Sequence, residues 1–416
     1  VEEIVEEKPE EVEIIEEAVE EIVEEKPEEV EIIEEAVEEI VEEKPEEVEI
    51  VEEAVEEIVE EKPEEVEIIE EVVEEIVEEK PEEVEIIEEA VEEIVEEKPE
   101  EVEIIEEAVS IPEEKPEMKK VLDIIPIQTF EGHLKGVTSV TFSPNGKYVV
   151  SSSKDKTIKI WELSTGKLVR TLEGHKKYVN SVVVSSDGKY IISCSNDKTV
   201  KIWDFSKGEL VRTLKGHTFY VLSVAVSPDN NYVVSSSFDK EIKVWDLATG
   251  KLLKTLKGHT KDIGSVAVSP DGKYIVSGSN DNTIKIWELL TGNLVRTLPG
   301  HKKYVTVVVI TADGKYIISG SGDKTVKVWE FSTGYLIRTF TGHTWDILSV
   351  AVSPDNNYVI SSSFDKEIKV WDLATGKLLK TLTEHRKEVG SISISPDFKY
   401  IISGSNDKTI KIWSVK

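Results

Sequence analysis

The chain has 416 residues, with 86 acidic against 49 basic side chains, a net charge of −37, one Cys and seven His. A single Cys excludes an intrachain disulfide framework and any Cys and His cluster with zinc spacing, and no cofactor is expected. No apolar run is long enough to span a bilayer as a helix and no signal-like segment is visible, so no membrane partner and a cytoplasmic location are expected.

The charge is unevenly spread. Residues 1–120 contain no Gly and no aromatic residue and hold 57 acidic against 9 basic side chains, a net of −48, whereas the remaining residues carry +11. The chain opens on Val1 instead of Met, which reads as a fragment or a processed product. Residues 1–108 form six copies of an 18-residue repeat with Pro at 9, 27, 45, 63, 81 and 99. Five helical turns take about 18 residues, so every copy presents the same face. In the first copy Val12, Ile14, Ile15, Ala18, Val19, Ile22 and Val23 share one half of a helical wheel, opposite Glu10, Glu13, Glu16, Glu17, Glu20, Glu21 and Glu24. The pattern predicts amphipathic helices that restart at each Pro and could assemble as a coiled coil. Nine Glu per copy repel one another, which equally fits an unstructured acidic tail or a solvating spacer. Residues 109–123, with Ser110-Ile-Pro-Glu-Glu-Lys-Pro116, read as a linker.

From residue 124 a second repeat takes over. A Gly-His pair recurs every 42 residues, at His133, His175, His217, His259, His301, His343 and His385, although Glu384 replaces the Gly before the last. A Trp stands 28 residues after each His, at Trp161, Trp203, Trp245, Trp287, Trp329, Trp371 and Trp413. Inside one unit four short runs alternate and are separated by tight turns: Val137–Phe142, Tyr148–Ser153, Thr157–Trp161 and Leu168–Leu172. A lone four-stranded sheet cannot bury both its faces, so the copies must stack. The last unit ends just after its third run, while Ile127–Phe130, ahead of the first Gly-His, matches a fourth run without its own first three.

These residues strongly resemble the WD40 repeat family over about residues 124–416. The resemblance implies an all-β fold: a seven-bladed β-propeller closed by an N-terminal strand, preceded here by the acidic helical or disordered arm. The strand before the first Gly-His would complete the seventh blade and latch the ring. The resemblance also implies a hydrogen-bonded set of four in each blade, such as His133, Ser151, Asp155 and Trp161, or His259, Ser277, Asp281 and Trp287. Seven Ser, His and Asp triples could be mistaken for hydrolase triads. Their recurrence in every blade, beside an indole N–H that needs an acceptor, makes them structural, and no enzyme is expected. No phosphate loop, calcium loop or other metal motif is present in the sequence. Cys194 occupies a position that is Ser or Gly in other blades and reads as an inert buried thiol.

Differences among the copies carry the functional expectation. Blades 3 and 6 share one sequence pattern and blades 2 and 5 another, as if three blades had been duplicated, while Glu384 and Phe398 depart from the pattern in blade 7 and put its turn geometry in question. In this family partners mostly meet the loops that follow Gly-His and precede the turn Asp. Those loops carry Lys135, Lys177, Tyr178, Phe219, Tyr220, Phe238, Lys261, Lys303, Tyr304, Trp345, Phe364 and Lys387. Cations grouped with aromatics suit a rim that binds other proteins or peptides, including acidic ones. The expected protein is an interaction scaffold whose arm is a tether, a self-association element or an electrostatic gate over the rim. The alternative is a nucleic-acid-binding propeller, which the −48 arm disfavours.

Overall fold

The computed structural model describes residues 122–416. The acidic repeats and most of the linker lie outside the described residues, and with them the helical, coiled-coil and disordered readings of the arm. No helix among the described residues is long and apolar enough to cross a membrane.

Seven four-stranded antiparallel sheets make the fold, each built from consecutive strands except the last. In the first blade these are Val137–Phe142, Tyr148–Ser153, Ile158–Glu162 and Leu168–Leu172. The third strand starts one residue later than the alternation suggests. Thr157 belongs to the turn because its N–H and its hydroxyl both donate to Asp155 Oδ1, at 2.9 and 2.7 Å. The preceding hairpin turns at Gly146, whose φ of 66° is costly for most side chains, with Ser143 Oγ accepting the Tyr148 N–H at 2.9 Å.

The ring closes as its ends suggest. Ile124–Phe130 pairs antiparallel with Ile410–Val415, from Ile124 opposite Val415 to Phe130 opposite Ile410, and becomes the outer strand of the seventh blade. It runs three residues longer than the repeat pattern. Pro126 is tolerated because this is an edge strand, and the register shifts between Pro126 and Gln128.

The core lies between blades. Val150, Ile158, Ile160 and Leu172 of blade 1 pack on Val179, Val182, Ile191 and Trp203 of blade 2, and equivalent layers recur around the ring. Across the closure Phe130, Ile402, Ile410 and Ile412 meet Val137, Val140, Phe142 and Trp161. Burying one Trp removes roughly 200 Å² from water, worth about 5 kcal/mol. Serine hydroxyls stitch neighbouring first strands: Ser265 Oγ accepts the Val308 N–H at 3.1 Å, and Ser391 Oγ accepts that of Val140 at 3.1 Å across the closure.

Both departures in blade 7 are absorbed locally. Phe398 adopts a φ of 54° where other blades use Gly or Asn, and its ring stacks on Tyr358 of blade 6 with centroids 5.6 Å apart. The Phe398 N–H still closes the turn onto Ser395 at 2.9 Å. His385, next to Glu384, keeps bonds of 2.8 Å to Asp407 and Ser403.

Candidate interaction surface

Each blade holds its loops on one face through a buried chain of hydrogen bonds. In blade 3 the Trp245 indole donates to Ser235 Oγ at 2.9 Å, Ser235 lies 2.8 Å from His217 Nε2, and His217 Nδ1 lies 2.9 Å from Asp239. An indole N–H can only donate, so the Ser235 proton points at Nε2 and Nδ1–H donates to the carboxylate. The sets named from sequence have the same form. His133 lies 2.8 Å from both Ser151 and Asp155, and Trp161 donates to Ser151 at 2.8 Å. His259 lies 2.7 Å from Asp281 and 2.8 Å from Ser277, which accepts from Trp287 at 2.9 Å.

Electrostatics follow from burial. Burial alone would raise the Asp239 carboxyl, but bonds from the His217 imidazole and the Thr218 and Glu241 amides hold it at about 2. Burial pushes the His175 and His301 imidazoles below their ordinary value, and Asp197 and Asp323 pull them back only in part. Ser–His and His–Asp distances of 2.8 and 2.9 Å in blade 3 match those of a hydrolase triad, yet Ser235 is fully buried and its oxygen already accepts the indole proton. His343, Asp365 and Glu367 bring ligand atoms within 4.8 Å of one another. His343 already bonds Asp365 at 2.7 Å, and Glu367 holds the buried Lys369 at 2.8 Å, so these donors are engaged with each other and their neighbours.

The chain of bonds fixes the rim. Asp239 also accepts the Thr218 N–H at 2.8 Å, and the Phe238 N–H donates to the Tyr220 carbonyl at 2.9 Å, which ties the loop after His to the turn before Asp. The equivalent backbone bond recurs in all seven blades, from Lys154 to Gly136 through Asn406 to Glu388. Lys135, Lys177, Lys261, Lys303 and Lys387 are exposed on this face, as are Tyr178, Phe219, Phe238, Trp345 and Phe364, whereas Tyr220 and Tyr304 are half-buried. Trp345 is the most open of the aromatics named from sequence, at 62%.

Only some of these residues come together. Phe219, Tyr220 and Phe238 form a cluster with centroids 4.7 to 6.3 Å apart. The Lys177 ammonium sits over the Tyr220 ring at 5.4 Å, and Lys135 sits over Tyr178 at 5.6 Å. Lys198, absent from the sequence expectation, lies over Phe219 at 5.7 Å. It follows the turn Asp in a left-handed conformation with φ of 71°, and a Lys at that offset in most blades is the signal that could have marked it. Blade 6 behaves differently: no ring contact joins Trp345 to Phe364 among the described residues. There the position of Tyr220 is held by Asp346, which accepts the Tyr304 hydroxyl at 2.5 Å and, with burial, pushes that phenol up to about 12.

Comparison with known proteins agrees with this geometry. The family described as "WD domain, G-beta repeat" matches residues 124–162, 166–204 and 208–246, and the "WDR3 first beta-propeller domain" family matches 242–415. The chain belongs to the WD40 repeat family. Its WD40 propeller is an interaction fold. Individual relatives match over short stretches only. A ribosome biogenesis protein BOP1 homolog of Monosiga brevicollis is 45% identical over 56 residues, 14% of this chain and 7% of the relative. The Drosophila ananassae homolog is 43% identical over 60 residues, 13% of this chain and 8% of the relative. The match thus spans less than a tenth of the length of these relatives.

Proposed function

We propose that the chain is a non-enzymatic interaction scaffold organised as an arm (1–108), a linker (109–123) and a propeller (124–416). The propeller holds a peptide or an acidic protein segment on the rim of Lys135, Lys177, Lys261, Lys303, Lys387 and the neighbouring aromatics, and the arm is a tether or self-association element. The observation that carries this reading is the rim itself. Cations and exposed rings share one face, and two backbone-linked loops per blade present them with little freedom left to lose on binding. A nucleic-acid partner is the second reading, supported by the +11 of the propeller segment and by the ribosome biogenesis names of the short-match relatives. Fluorescence anisotropy with the full chain separates the two. A labelled Glu-rich peptide should bind at low salt and weaken as salt rises, because exposed ion pairs are screened. Tight binding of single-stranded RNA with a steep salt dependence, and none of the peptide, would replace the first reading by the second.

A further inference from the structure

The rim is not uniform, and the repeat sequence conceals this. Three residues after each His the register position holds Tyr178, Tyr220 and Tyr304 in blades 2, 3 and 5, but Asp262, Asp346 and Glu388 in blades 4, 6 and 7. In blades 2 and 3 the aromatic residues are gathered under cations, with Lys135, Lys177 and Lys198 over the rings of Tyr178, Tyr220 and Phe219. In blades 4, 6 and 7 the same position is acidic, the blade 5 tyrosine donates its hydroxyl to Asp346, and Glu388 keeps a buried carboxylate oxygen without a hydrogen-bond partner.

We propose that the docking site lies on blades 2 and 3, centred on Phe219, Tyr220, Phe238, Lys177 and Lys198, and takes an acidic peptide segment that carries an apolar side chain. The inference rests on the rim reading above and assigns its location and ligand chemistry. Three observations select the occupant. Phe219 and Phe238 are 43% and 46% exposed and touch each other, so they offer a contiguous apolar surface for one inserted side chain. Lys177 and Lys198 stand beside that surface, where a carboxylate can bridge to an ammonium without displacing it from its ring. A cationic ligand would have to displace them, and like charge opposes it. A nucleic acid fits less well. Bases stack on open ring faces, yet here the rings are tilted against one another and carry ammonium groups, and acidic side chains interrupt any phosphate path around the rim.

The test compares paired substitutions in the full chain, read by anisotropy of a fluorescein-labelled Glu peptide with one central Leu. Phe219→Ala with Phe238→Ala should weaken binding by about tenfold or more, and Trp345→Ala with Phe364→Ala by less than about twofold. All four rings are exposed, so both variants should keep the wild-type melting temperature. Lys177→Glu with Lys198→Glu provides a second route that leaves the rings intact. It should weaken binding by about tenfold and flatten its salt dependence. Equal losses in the two aromatic pairs would overturn the placement on blades 2 and 3 while leaving the rim reading in force. No loss in any variant would overturn both. Displacement of the peptide by a short single-stranded RNA at lower concentration than by unlabelled peptide would overturn the choice of an acidic peptide.

Discussion

Adjacent serines in one strand should respond in opposite ways to loss of a hydroxyl. Ser235 and Ser236 lie in Tyr232–Ser237 and are both fully buried. Ser235 Oγ accepts from Trp245 at 2.9 Å and lies 2.8 Å from His217 Nε2. Ser235→Ala leaves the indole N–H and the imidazole nitrogen without partners in a dry site. Each such group costs about 1 to 3 kcal/mol, so a loss of about 2 to 6 kcal/mol is expected. Ser236 Oγ has no partner. Its counterpart in blade 1, Ser152, meets Thr138 at 2.9 Å, whereas blade 3 has Leu222 at the Thr138 position. Ser236→Ala keeps the Cβ and its packing and removes only a desolvated hydroxyl, so the change should lie between zero and about 1 kcal/mol of stabilisation. A domain of this size moves by roughly 2 °C per kcal/mol, which puts Ser235→Ala about 4 to 12 °C below wild type and Ser236→Ala at or slightly above it. Differential scanning fluorimetry on the intrinsic Trp signal reads this, since every Trp lies in the described residues. A Ser236→Ala variant that melts as low as Ser235→Ala would refute the reasoning. So would additivity of Ser235→Ala with Trp245→Phe, because both break the same bond and their effects should overlap.

Acid should weaken the propeller in two stages. The His175 and His301 imidazoles and the tetrad carboxyls are all depressed on folding, so the stability they supply is present above 6.5 for His and 3.8 for Asp and is lost as pH falls through those ranges. Urea midpoints should begin to drop as pH falls below about 6.5 and drop again below about 4; a flat profile would contradict the assigned bonds. Deleting residues 124–130 strips the outer strand from the seventh blade and removes Phe130, whose ring stacks on Trp161 at 5.6 Å. Loss of at least about 3 kcal/mol, with aggregation at the uncovered edge, should appear in urea titration and light scattering. Burial pushes the Cys194 thiol well above the ordinary range, so a thiol reagent should label it only on unfolding, and rapid native labelling would disprove its burial.

The period of 42 residues, the Gly-His and Trp offsets and the misplaced fourth strand make the blades and their closure legible in the sequence alone. They could be read because each depends on contacts inside one copy, where a fixed spacing puts the same side chains on the same rungs every time. The bond from Trp287 to Ser277 is such a contact, set by a separation of ten residues across one hairpin. The rim was legible as a roster of residues and not as a site. Whether a ring stays open, gathers with others or is answered by a charge depends on what the next blade places beside it. Tyr304 finds Asp346, and Tyr220 finds Lys177. Packing between copies pairs residues whose identities vary independently, and only the closed ring decides which of them meet.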